Sequence, residues 1–261
     1  MEVKISVVII TLNEEKNISR CLDSVVDIAD EILVVDSFSY DKTEEICKEY
    51  AVKFHQHKFE SYIGQKNYAL SLSKYFHVLS LDADEALSEE LISSIKKTKQ
   101  NWKADGYSMN RLANYCGQWI KHSGWYPDKK LRLFDKRKAQ WGGVNPHDKI
   151  ILQNDCTELQ LNGDLHHYTY YTIDEHITQA NKFSTIAANE IVNLNKKISI
   201  FNIFTKSIAK FLRNYFFKLG FLDGFYGFMI CEITAFETFL KYAKAYKLNS
   251  ASHGVNSIKK H

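Results

Sequence analysis

The first strand is encoded by Lys4–Thr11, which reads KISVVIIT and is a nearly continuous apolar run rich in valine and isoleucine. Such a run is typical of a strand that is buried on both faces of a parallel sheet. Two later segments, Glu31–Asp36 and Phe76–Leu81, read as further strands, and helical patterns lie between the strands. This alternation predicts an α/β fold with a mostly parallel central sheet flanked by helices.

The composition divides the chain into two parts. Its 261 residues are 45% hydrophobic, which is enough for a substantial core. Residues 196–248 hold nine basic residues, three acidic residues and ten of the sixteen phenylalanines, although the net charge of the whole chain is only +3. We therefore predict an organisational boundary near Lys196, a basic helical appendage over residues 196–248 and a flexible tail over residues 249–261.

Cysteine spacing and the N-terminus bear on the cellular compartment. The five cysteines are scattered, without the spacing of a zinc site, and their odd number argues against a disulfide framework. The N-terminus leads directly into a strand and shows no basic leader followed by a cleavage site, so we expect no secretory signal. We expect a cytoplasmic protein.

Polar residues follow three of the predicted strands, at the edge of the sheet where ligands bind in α/β folds. They are the segments Thr11–Glu14, Asp36–Ser39 and Asp82–Asp84. The two carboxylates of an Asp-x-Asp sequence at a strand end can hold a hard divalent cation, Mg²⁺ or Mn²⁺. The alternative is that such acids cap the following helix.

The other strand-end residues have two interpretations each. Asp36 caps nothing obvious and could accept hydrogen bonds from a ribose or a base. Asp41 is either a ligand contact or the N-cap of the helix after it. Asn13 fits a helix N-cap, and the polar groups beside it could instead face a nucleotide at the helix N-terminus.

Several motifs together resemble a known family. The runs SVVIITLNEE, DSFSYDKT, GQKNYAL and LSLDADE, followed by GWYPDKKLRLF, WGGVNPHDKI and LHHYTY, are similar to family 2 of the nucleotide-sugar glycosyltransferases. The likeness covers nearly the whole chain and is strongest to the branch of the lipopolysaccharide-core β-1,4-glucosyltransferases. It implies a GT-A-like fold in which residues 1–195 form the catalytic domain, with a donor half at about 1–100 and an acceptor half at about 101–195.

The resemblance also implies site residues. By the resemblance, the donor is expected to be a UDP-sugar. The residues assigned to this donor are Thr11, Asn13, Glu14, Asp36, Asp41, Gln65, Lys66, Asn67 and Asp82. The metal ligands are Asp84 and Asp82, with Mg²⁺ or Mn²⁺ as the cofactor. Phe38 replaces the glycine of the family's D-S-G-S motif, which leaves the backbone shape of that loop open. His166 and His167 are interpreted as interior or rim histidines, because neither has a partner at ligand spacing in the sequence.

An inverting transfer needs a base that takes the proton of the acceptor hydroxyl. Asp148 is the first candidate because it stands where this branch has a glutamate, Asp128 is its rival, and His147 is the third. Each could instead be a loop acid or histidine with a structural role, and Asp128 could pair with Arg132. Arg132 itself could clamp a phosphate or lie on a solvated strand face.

The aromatic residues near these motifs are candidate platforms for a sugar ring. They are Trp119, Trp125, Tyr126 and Trp141, with Trp125 preferred, although a core position is the commoner use of such residues.

The basic appendage contains an amphipathic helix. Its apolar face comprises Phe201, Phe204, Ile208, Phe211, Leu212, Tyr215 and Leu219, and Lys206, Lys210 and Arg213 lie opposite. A helix of this type can lie on an anionic membrane surface, or its apolar face can dock on the catalytic domain.

The expected function is the transfer of one sugar to a saccharide or lipid-linked acceptor of a surface glycan, at the inner face of the cytoplasmic membrane. No nucleic-acid partner is expected. The alternatives are a glycosyltransferase that acts on a polyprenyl phosphate and a catalytically silent, membrane-associated protein that binds nucleotide-sugars.

Overall fold

The computed structural model describes residues 2–144, 147–196 and 198–258, with side chains except those of Val144, His147 and residues 251–258. Two predicted features therefore lie outside the described part, namely the side chain of His147 and the end of the tail, residues 259–261.

The chain forms two compact units. Unit 1 comprises Met1–Leu112 and Pro127–Tyr168, and unit 2 comprises Ala113–Tyr126 and Thr169–His261. The division differs from the boundary expected near Lys196, because a hairpin and a long helix that precede Lys196 pack with the C-terminal helices. Composition could not detect this, since the hairpin is separated from those helices in the sequence.

The strands and helices follow the predicted order through the first half of the chain. The strands are β1 (Ile5–Thr11), β2 (Glu31–Asp36), β3 (Lys53–Gln56), β4 (His77–Asp82), β5 (Glu85–Leu87), β6 (Gly106–Tyr115), β7 (Gln118–Ile120), β8 (Asp128–Asp135), β9 (Ala139–Val144), β10 (His147–Leu152) and β11 (Glu158–Tyr170). The α-helices are α1 (Ile18–Asp23), α2 (Thr43–Lys48), α3 (Tyr62–Leu72), α4 (Glu89–Gln100), α5 (Ile173–Asn193), α6 (Ile200–Leu212) and α7 (Gly224–Ile258).

The main sheet has the strand order β3-β2-β1-β4-β8-β6-β11-β5, and β7 pairs with β6. Strands β3, β2, β1 and β4 pair parallel with one another, whereas β8 pairs antiparallel with β4 and with β6. Strands β9 and β10 form a separate antiparallel pair. The predicted α/β class, with a parallel sheet in the first half of the chain and a helical C-terminal part, is confirmed.

The position of β1 in the sheet explains why its sequence is apolar throughout. Ile5, Val7 and Ile9 belong to the hydrophobic core on one face of the sheet, and Val8 belongs to the core on the other face. Successive side chains of a strand point to opposite faces, so a strand covered on both faces needs apolar residues at every position.

Two predicted helix boundaries change in the structure. The helix expected to begin after Asn13 begins at Ile18, with Asn17 as its N-cap residue, so the N-cap interpretation of Asn13 is wrong. Asn13 has a φ of 56°, in the left-handed region that asparagine tolerates better than most residues. At the other end of the chain, α7 continues past residue 248 to Ile258. The flexibility of the tail stays a prediction.

Unit 2 combines the β6–β7 hairpin with the C-terminal helices. The carboxylate of Asp223, which is 5% exposed, accepts hydrogen bonds from the backbone N–H groups of Lys121 and His122 and thereby holds the loop after β7. The hydroxyl of Ser207 on α6 donates to the carbonyl oxygen of Ala235 on α7. Within the described residues no single helix is long and apolar enough to cross a membrane. The pair Ile200–Phe217 and Gly220–Ser250, bent by 71°, meets the length and composition test only when both are taken together.

Candidate functional site

Strand register brings the predicted strand-end residues together. Thr11 at the end of β1 lies beside Asp36 at the end of β2, and Ile10 lies beside Asp82 at the end of β4. These ends therefore share one edge of the sheet, as expected for parallel neighbours.

A cluster of buried and partly buried charges occupies this edge. The ammonium nitrogen of Lys66 lies 2.9 Å from a carboxylate oxygen of Asp82 and 2.8 Å from one of Asp148. The guanidinium of Arg132 donates to Asp82 at 3.0 Å and to Glu85 at 2.7 Å. We call these five residues the ion-pair cluster. It joins the first candidate base to the first residue of the Asp-x-Asp sequence through one cation.

Glu85 is the buried member of the cluster that sequence reasoning missed. Its side chain is fully buried, and one of its carboxylate oxygens accepts a hydrogen bond from the backbone N–H of Asp82 at 3.1 Å. The other oxygen receives Arg132. Glu85 therefore fixes the turn that carries the Asp-x-Asp sequence. Its position directly after that sequence was the only available signal.

The charges of the cluster shift one another's ionisation. Burial by itself raises the pKa of Asp82, but Lys66 and Arg132 hold this pKa well below its usual range. Burial by itself lowers the pKa of Arg132, but Glu85 and Asp82 hold it above its ordinary value. Arg132 is only 4% exposed, so the interpretation of this residue as part of a solvated strand face is wrong.

Trp141 forms one wall of the cluster. Its ring lies 4.1 Å from the ammonium of Lys66, its indole N–H donates to the hydroxyl of Ser80, and it is 2% exposed. Aromatic faces attract cations in this arrangement. Trp125, the preferred sugar platform, packs instead against the buried Tyr115 and Ile230 of unit 2.

The carboxylate of Asp84 contacts His167, whereas that of Asp82 contacts Lys66 and Arg132. One of its carboxylate oxygens lies 3.1 Å from Nε2 of His167, and both side chains are partly exposed. His167 belongs to β11, where it pairs in register with Glu85 of β5. This contact agrees with the interpretation of His167 as a rim histidine whose ring is hydrogen-bonded, although the sequence did not identify Asp84 as the partner. Eighty-three positions separate it from Asp84, and only the sheet brings the two together.

Glu14 adds a further acid to this region. Burial, followed by the repulsion of Asp84, Asp41 and Asp82, raises its pKa to about 7, although the side-chain amide of Asn17 opposes the shift. Glu14 therefore lies within electrostatic range of both carboxylates of the Asp-x-Asp sequence.

The residues present fit a cation that is held jointly with a substrate. Among the described residues, no group of three or more His, Cys, Asp or Glu is arranged to hold a metal ion. Asp84 and His167 supply two potential ligands within 3.1 Å of each other. Mg²⁺ and Mn²⁺ commonly take one or two protein carboxylates and complete their shell with phosphate oxygens and water.

The loops after β1 and β2 are connected by polar contacts. Asn13 donates its backbone N–H to the hydroxyl of Ser39 and accepts from the backbone N–H of Tyr40. Asp36 is fully buried and accepts from the backbone N–H and the hydroxyl of Ser39, so it fixes the loop after β2 and caps no helix. Its contact with a ligand stays a prediction.

Phe38 stands where the family motif D-S-G-S has its glycine, and the structure gives the backbone conformation at this position. Its φ is 64°, so this residue adopts the left-handed conformation that a glycine would adopt without strain, and its side chain is exposed.

Asp41 accepts from the backbone N–H and the hydroxyl of Thr43 and from the backbone N–H of Glu15. These hydrogen bonds lower the pKa of Asp41 against the opposing effect of burial. The N-cap position of α2 is Lys42, so Asp41 precedes the cap residue and accepts instead from the first residue of the helix. Its role as a ligand contact stays a prediction.

The three residues of the Gln-Lys-Asn motif on α3 contact different parts of the site. Only Lys66 enters the ion-pair cluster. Gln65 is 1% exposed, and its amide nitrogen donates to the hydroxyl of Ser37 in the loop after β2. Asn67 exchanges hydrogen bonds with the backbone N–H and carbonyl of Trp141. Gln65 and Asn67 thus support the site, and their direct contact with a donor stays a prediction.

Asp128 does not join the cluster through its own contacts. Arg111 donates to one of its carboxylate oxygens through Nε at 3.0 Å and Nη2 at 2.8 Å. Lys130 lies 3.0 Å from the other oxygen. The carboxylate therefore has a structural partner, which is Arg111 and not the Arg132 expected from the sequence.

Two buried polar atoms of the described residues lack a hydrogen-bond partner there. They are the hydroxyl oxygen of Thr11 and Nε of Arg132. Thr11 ends β1 at the ligand-binding edge of the sheet. A buried hydroxyl without a partner is costly, and a bound ligand would supply one.

The strand order, with Thr11 at the end of β1 and acids at the ends of β2 and β4, defines a GT-A-like α/β protein. The family model described as glycosyl transferase family 2 matches residues 6–155, which is more than half of the chain. The chain belongs to this family.

Relatives extend the similarity beyond the matched region. The chain is 34% identical to an uncharacterised glycosyltransferase of Rickettsia typhi, over 97% of this chain and 90% of that protein. It is 27% identical to the lipopolysaccharide core biosynthesis glycosyltransferase LpsC of Rhizobium meliloti, over 93% of this chain and 92% of that protein.

Solved structures with a similar arrangement are more distant. TarS of S. aureus (residues 1–349), solved with UDP, is 14% identical with a TM-score of 0.47, over 94% of this chain and 92% of that chain. Glucosyl-3-phosphoglycerate synthase of Mycobacterium tuberculosis, solved with Mn²⁺, UDP and glucosyl-3-phosphoglycerate, is 21% identical with a TM-score of 0.36, over 43% of this chain and 44% of that chain. Likeness of this degree assigns neither a donor nor an ion to this chain.

Proposed function

We propose that this family 2 glycosyltransferase catalyses an inverting, metal-dependent transfer of one sugar from a UDP-sugar to a saccharide acceptor of a surface glycan. The observation that carries the proposal is the ion-pair cluster. Lys66 contacts both Asp82, one of the two predicted metal ligands, and Asp148, the predicted base. Residues 1–100 supply the donor side, and residues 101–195 supply the acceptor side.

The donor lies at the carboxyl ends of β1, β2 and β4. The buried hydroxyl of Thr11, which lacks a partner among the described residues, supports a polar ligand there. Asp36 and the loop it holds lie next to Thr11 in the sheet register, within reach of a ribose or a base. Acids at this position of a nucleotide-binding α/β fold commonly accept hydrogen bonds from the ribose.

Asp84 and His167 would hold the divalent cation on the donor side of the site. Asp82 is the weaker ligand, because Lys66 and Arg132 already neutralise its carboxylate. When bound, Mg²⁺ or Mn²⁺ neutralises the charge that develops on the departing nucleotide. Lys66 and Arg132 hold Asp82 ionised and fix it beside Asp84.

Asp148 takes the proton from the attacking hydroxyl of the acceptor. A direct displacement at the anomeric carbon needs one such base, on the face opposite the nucleotide. Asp148 keeps one carboxylate oxygen on Lys66, which orients the side chain, and this side chain is 12% exposed. Asp128 is the weaker candidate because Arg111 and Lys130 occupy both of its oxygens.

The acceptor is a glycan of the lipopolysaccharide-core type, attached to a lipid at an anionic membrane surface on the cytoplasmic side. The similarity to LpsC over 92% of that protein supports the class of acceptor. The exposed phenylalanines of unit 2 support the membrane surface.

Donor binding tests the proposal. Binding of UDP to the wild type should strengthen when Mn²⁺ is added, and Asp84→Asn should lose this dependence together with transfer activity. Asp27→Asn is the matched control, because Asp27 is an exposed acid that pairs with Lys96 at the surface. Calorimetric titration of UDP with and without Mn²⁺ measures both. Unchanged metal dependence in Asp84→Asn would overturn the assignment.

A further inference from the structure

Unit 2 exposes an unusual number of phenylalanines on its C-terminal helices. Phe201 is 75% exposed and Phe217 is 82% exposed. They belong to a set that is exposed along α6, the π-helical turn after it, and the start of α7: Phe201, Phe204, Ile208, Leu212, Phe216, Phe217, Phe221, Leu222 and Phe225. We call this set the phenylalanine surface. Exposed apolar patches of this kind mark interaction sites.

Ring contacts make the surface continuous around the bend. Tyr215 lies 5.2 Å from Phe216 and 6.1 Å from Phe221, measured between ring centroids. Phe211 stacks on Tyr215 at 5.3 Å and meets Phe228 of α7 at 6.1 Å. The end of α6 and the start of α7 thus share one aromatic framework, and it holds the exposed rings together.

The opposite side of α6 already has a partner. Ile203 is 7% exposed, and Ser207 donates its hydroxyl to a backbone carbonyl of α7. The apolar face predicted from the sequence therefore meets α7 only at its edge, through Phe204 and Phe211, and most of it stays exposed. This explains why strongly apolar residues such as Phe201 and Ile208 remain outside.

The charged residues of α6 and of the π-helical turn have one sign. Residues 200–219 contain Lys206, Lys210, Arg213 and Lys218 and no acidic residue. Lys206, Arg213 and Lys218 are exposed, and burial lowers the pKa of Lys210. Apolar aromatic residues flanked by cations match a bilayer interface with anionic headgroups.

We propose that the phenylalanine surface inserts into one leaflet of an anionic bilayer, with Lys206, Arg213 and Lys218 at the level of the headgroups. This deepens the proposed membrane partner and depends on no step of the sugar transfer. Apolar insertion contributes in addition to charge, so binding should persist in part at salt concentrations that screen exposed charges.

We expect insertion into one leaflet only, because α7 packs within unit 2. Ile230, Cys231 and Ala245 of this helix are buried within the protein, and Glu232 is exposed on it. A helix with these partners cannot be surrounded by lipid along its length. The bent pair of helices thus presents its apex and α6 to the lipid.

Co-sedimentation of the full chain with vesicles tests the proposal. The vesicles are phosphatidylcholine alone and phosphatidylcholine with phosphatidylglycerol, each across a salt series. The wild type should bind the anionic vesicles most tightly, retain part of this binding at high salt, and be released by alkaline carbonate. The double change Phe201→Ser and Phe217→Ser should lower partitioning about a hundredfold, since each buried phenylalanine contributes about tenfold or more.

The matched control is Phe59→Ser with Phe76→Ser, which removes two exposed phenylalanines of unit 1 and should leave binding unchanged. The triple change Lys206→Gln, Arg213→Gln and Lys218→Gln should weaken binding at low salt only. Three results would each overturn the proposal: wild type that stays in the supernatant, binding that resists carbonate, or a dimer that Phe201→Ser and Phe217→Ser dissociates without any vesicle binding. Sugar transfer to a soluble acceptor, assayed without vesicles, tests the proposed enzyme activity independently of membrane insertion.

Discussion

The ammonium of Lys66 lies between two carboxylates, at 2.9 Å from Asp82 and 2.8 Å from Asp148. Lys66 is on α3, Asp82 ends β4, and Asp148 is on β10. A single buried cation therefore connects three elements of unit 1, and it sets the distance between the proposed donor and acceptor sides.

Replacement of the proposed base should separate catalysis from donor binding. We expect Asp148→Asn to lower transfer by a factor on the order of 10² or more, because the amide cannot accept the proton of the acceptor hydroxyl. UDP affinity in Mn²⁺ should stay near that of the wild type. Steady-state kinetics and UDP titration provide the two measurements.

Asp128→Asn is the comparison for this prediction. It should mainly disturb the contact with Arg111, and its transfer rate should exceed that of Asp148→Asn. The reverse ranking of the two variants would transfer the role of base to Asp128.

Removal of the shared cation should destabilise the protein. Lys66→Met leaves Asp148 buried without its cation and Asp82 with Arg132 alone, and loss of one partner of a buried ion pair costs about 3 kcal/mol or more. Chemical denaturation measures the change in the free energy of unfolding. Lys48→Met is the control, because Lys48 pairs with Glu44 at a similar 2.9 Å but on the exposed surface, where a pair is worth about 1 kcal/mol or less. Equal losses in the two variants would contradict the structural role of the cluster.

The raised pKa of Glu14 predicts a pH dependence of stability. Burial and the nearby acids raise this pKa to about 7 in the folded protein, above the ordinary 4.5 of an unfolded glutamate. The folded state therefore binds more protons in this window, and stability falls as the pH rises from about 4.5 through 7. Glu14→Gln should remove this component.

The measurement is the free energy of unfolding of the wild type and Glu14→Gln across that pH range, without added metal. The advantage of the variant over the wild type should grow as the pH rises. A constant difference would mean that Glu14 does not titrate in this window.

Glycine at position 163 is required by close packing. Its φ is 92°, and a Cβ there would lie 2.3 Å from the backbone nitrogen of Leu91 on α4. We expect Gly163→Ala to cost about 3 kcal/mol through steric overlap and left-handed strain together. Gly117→Ala carries the strain without the overlap, since Gly117 has a φ of 88° and no atom within 4 Å of its Cβ position, and should cost about 1 kcal/mol. Thermal unfolding of both variants measures the two losses of stability. A larger loss in Gly117→Ala than in Gly163→Ala would contradict the prediction.

Local patterns in the sequence determined the parallel half of the fold and the edge where the site lies. The apolar run of β1 predicts burial on both faces, because a strand alternates its side chains between the two cores. The acids after β2 and β4 meet at one edge because parallel strands end together. The motifs also identified the family correctly, and the match over residues 6–155 confirms it.

Only the tertiary structure decided which side chains pair. Asp84 meets His167 because β11 lies against β5, and Asp128 binds Arg111 because β6 and β8 are antiparallel neighbours in that register. These partners are distant in the sequence, so no spacing rule could reveal them. The orientation of α6 is of the same kind. Its periodicity defines an apolar face, but the packing of α6 on α7 determines that Phe201 faces outward, because a helix can dock through whichever face its neighbour complements.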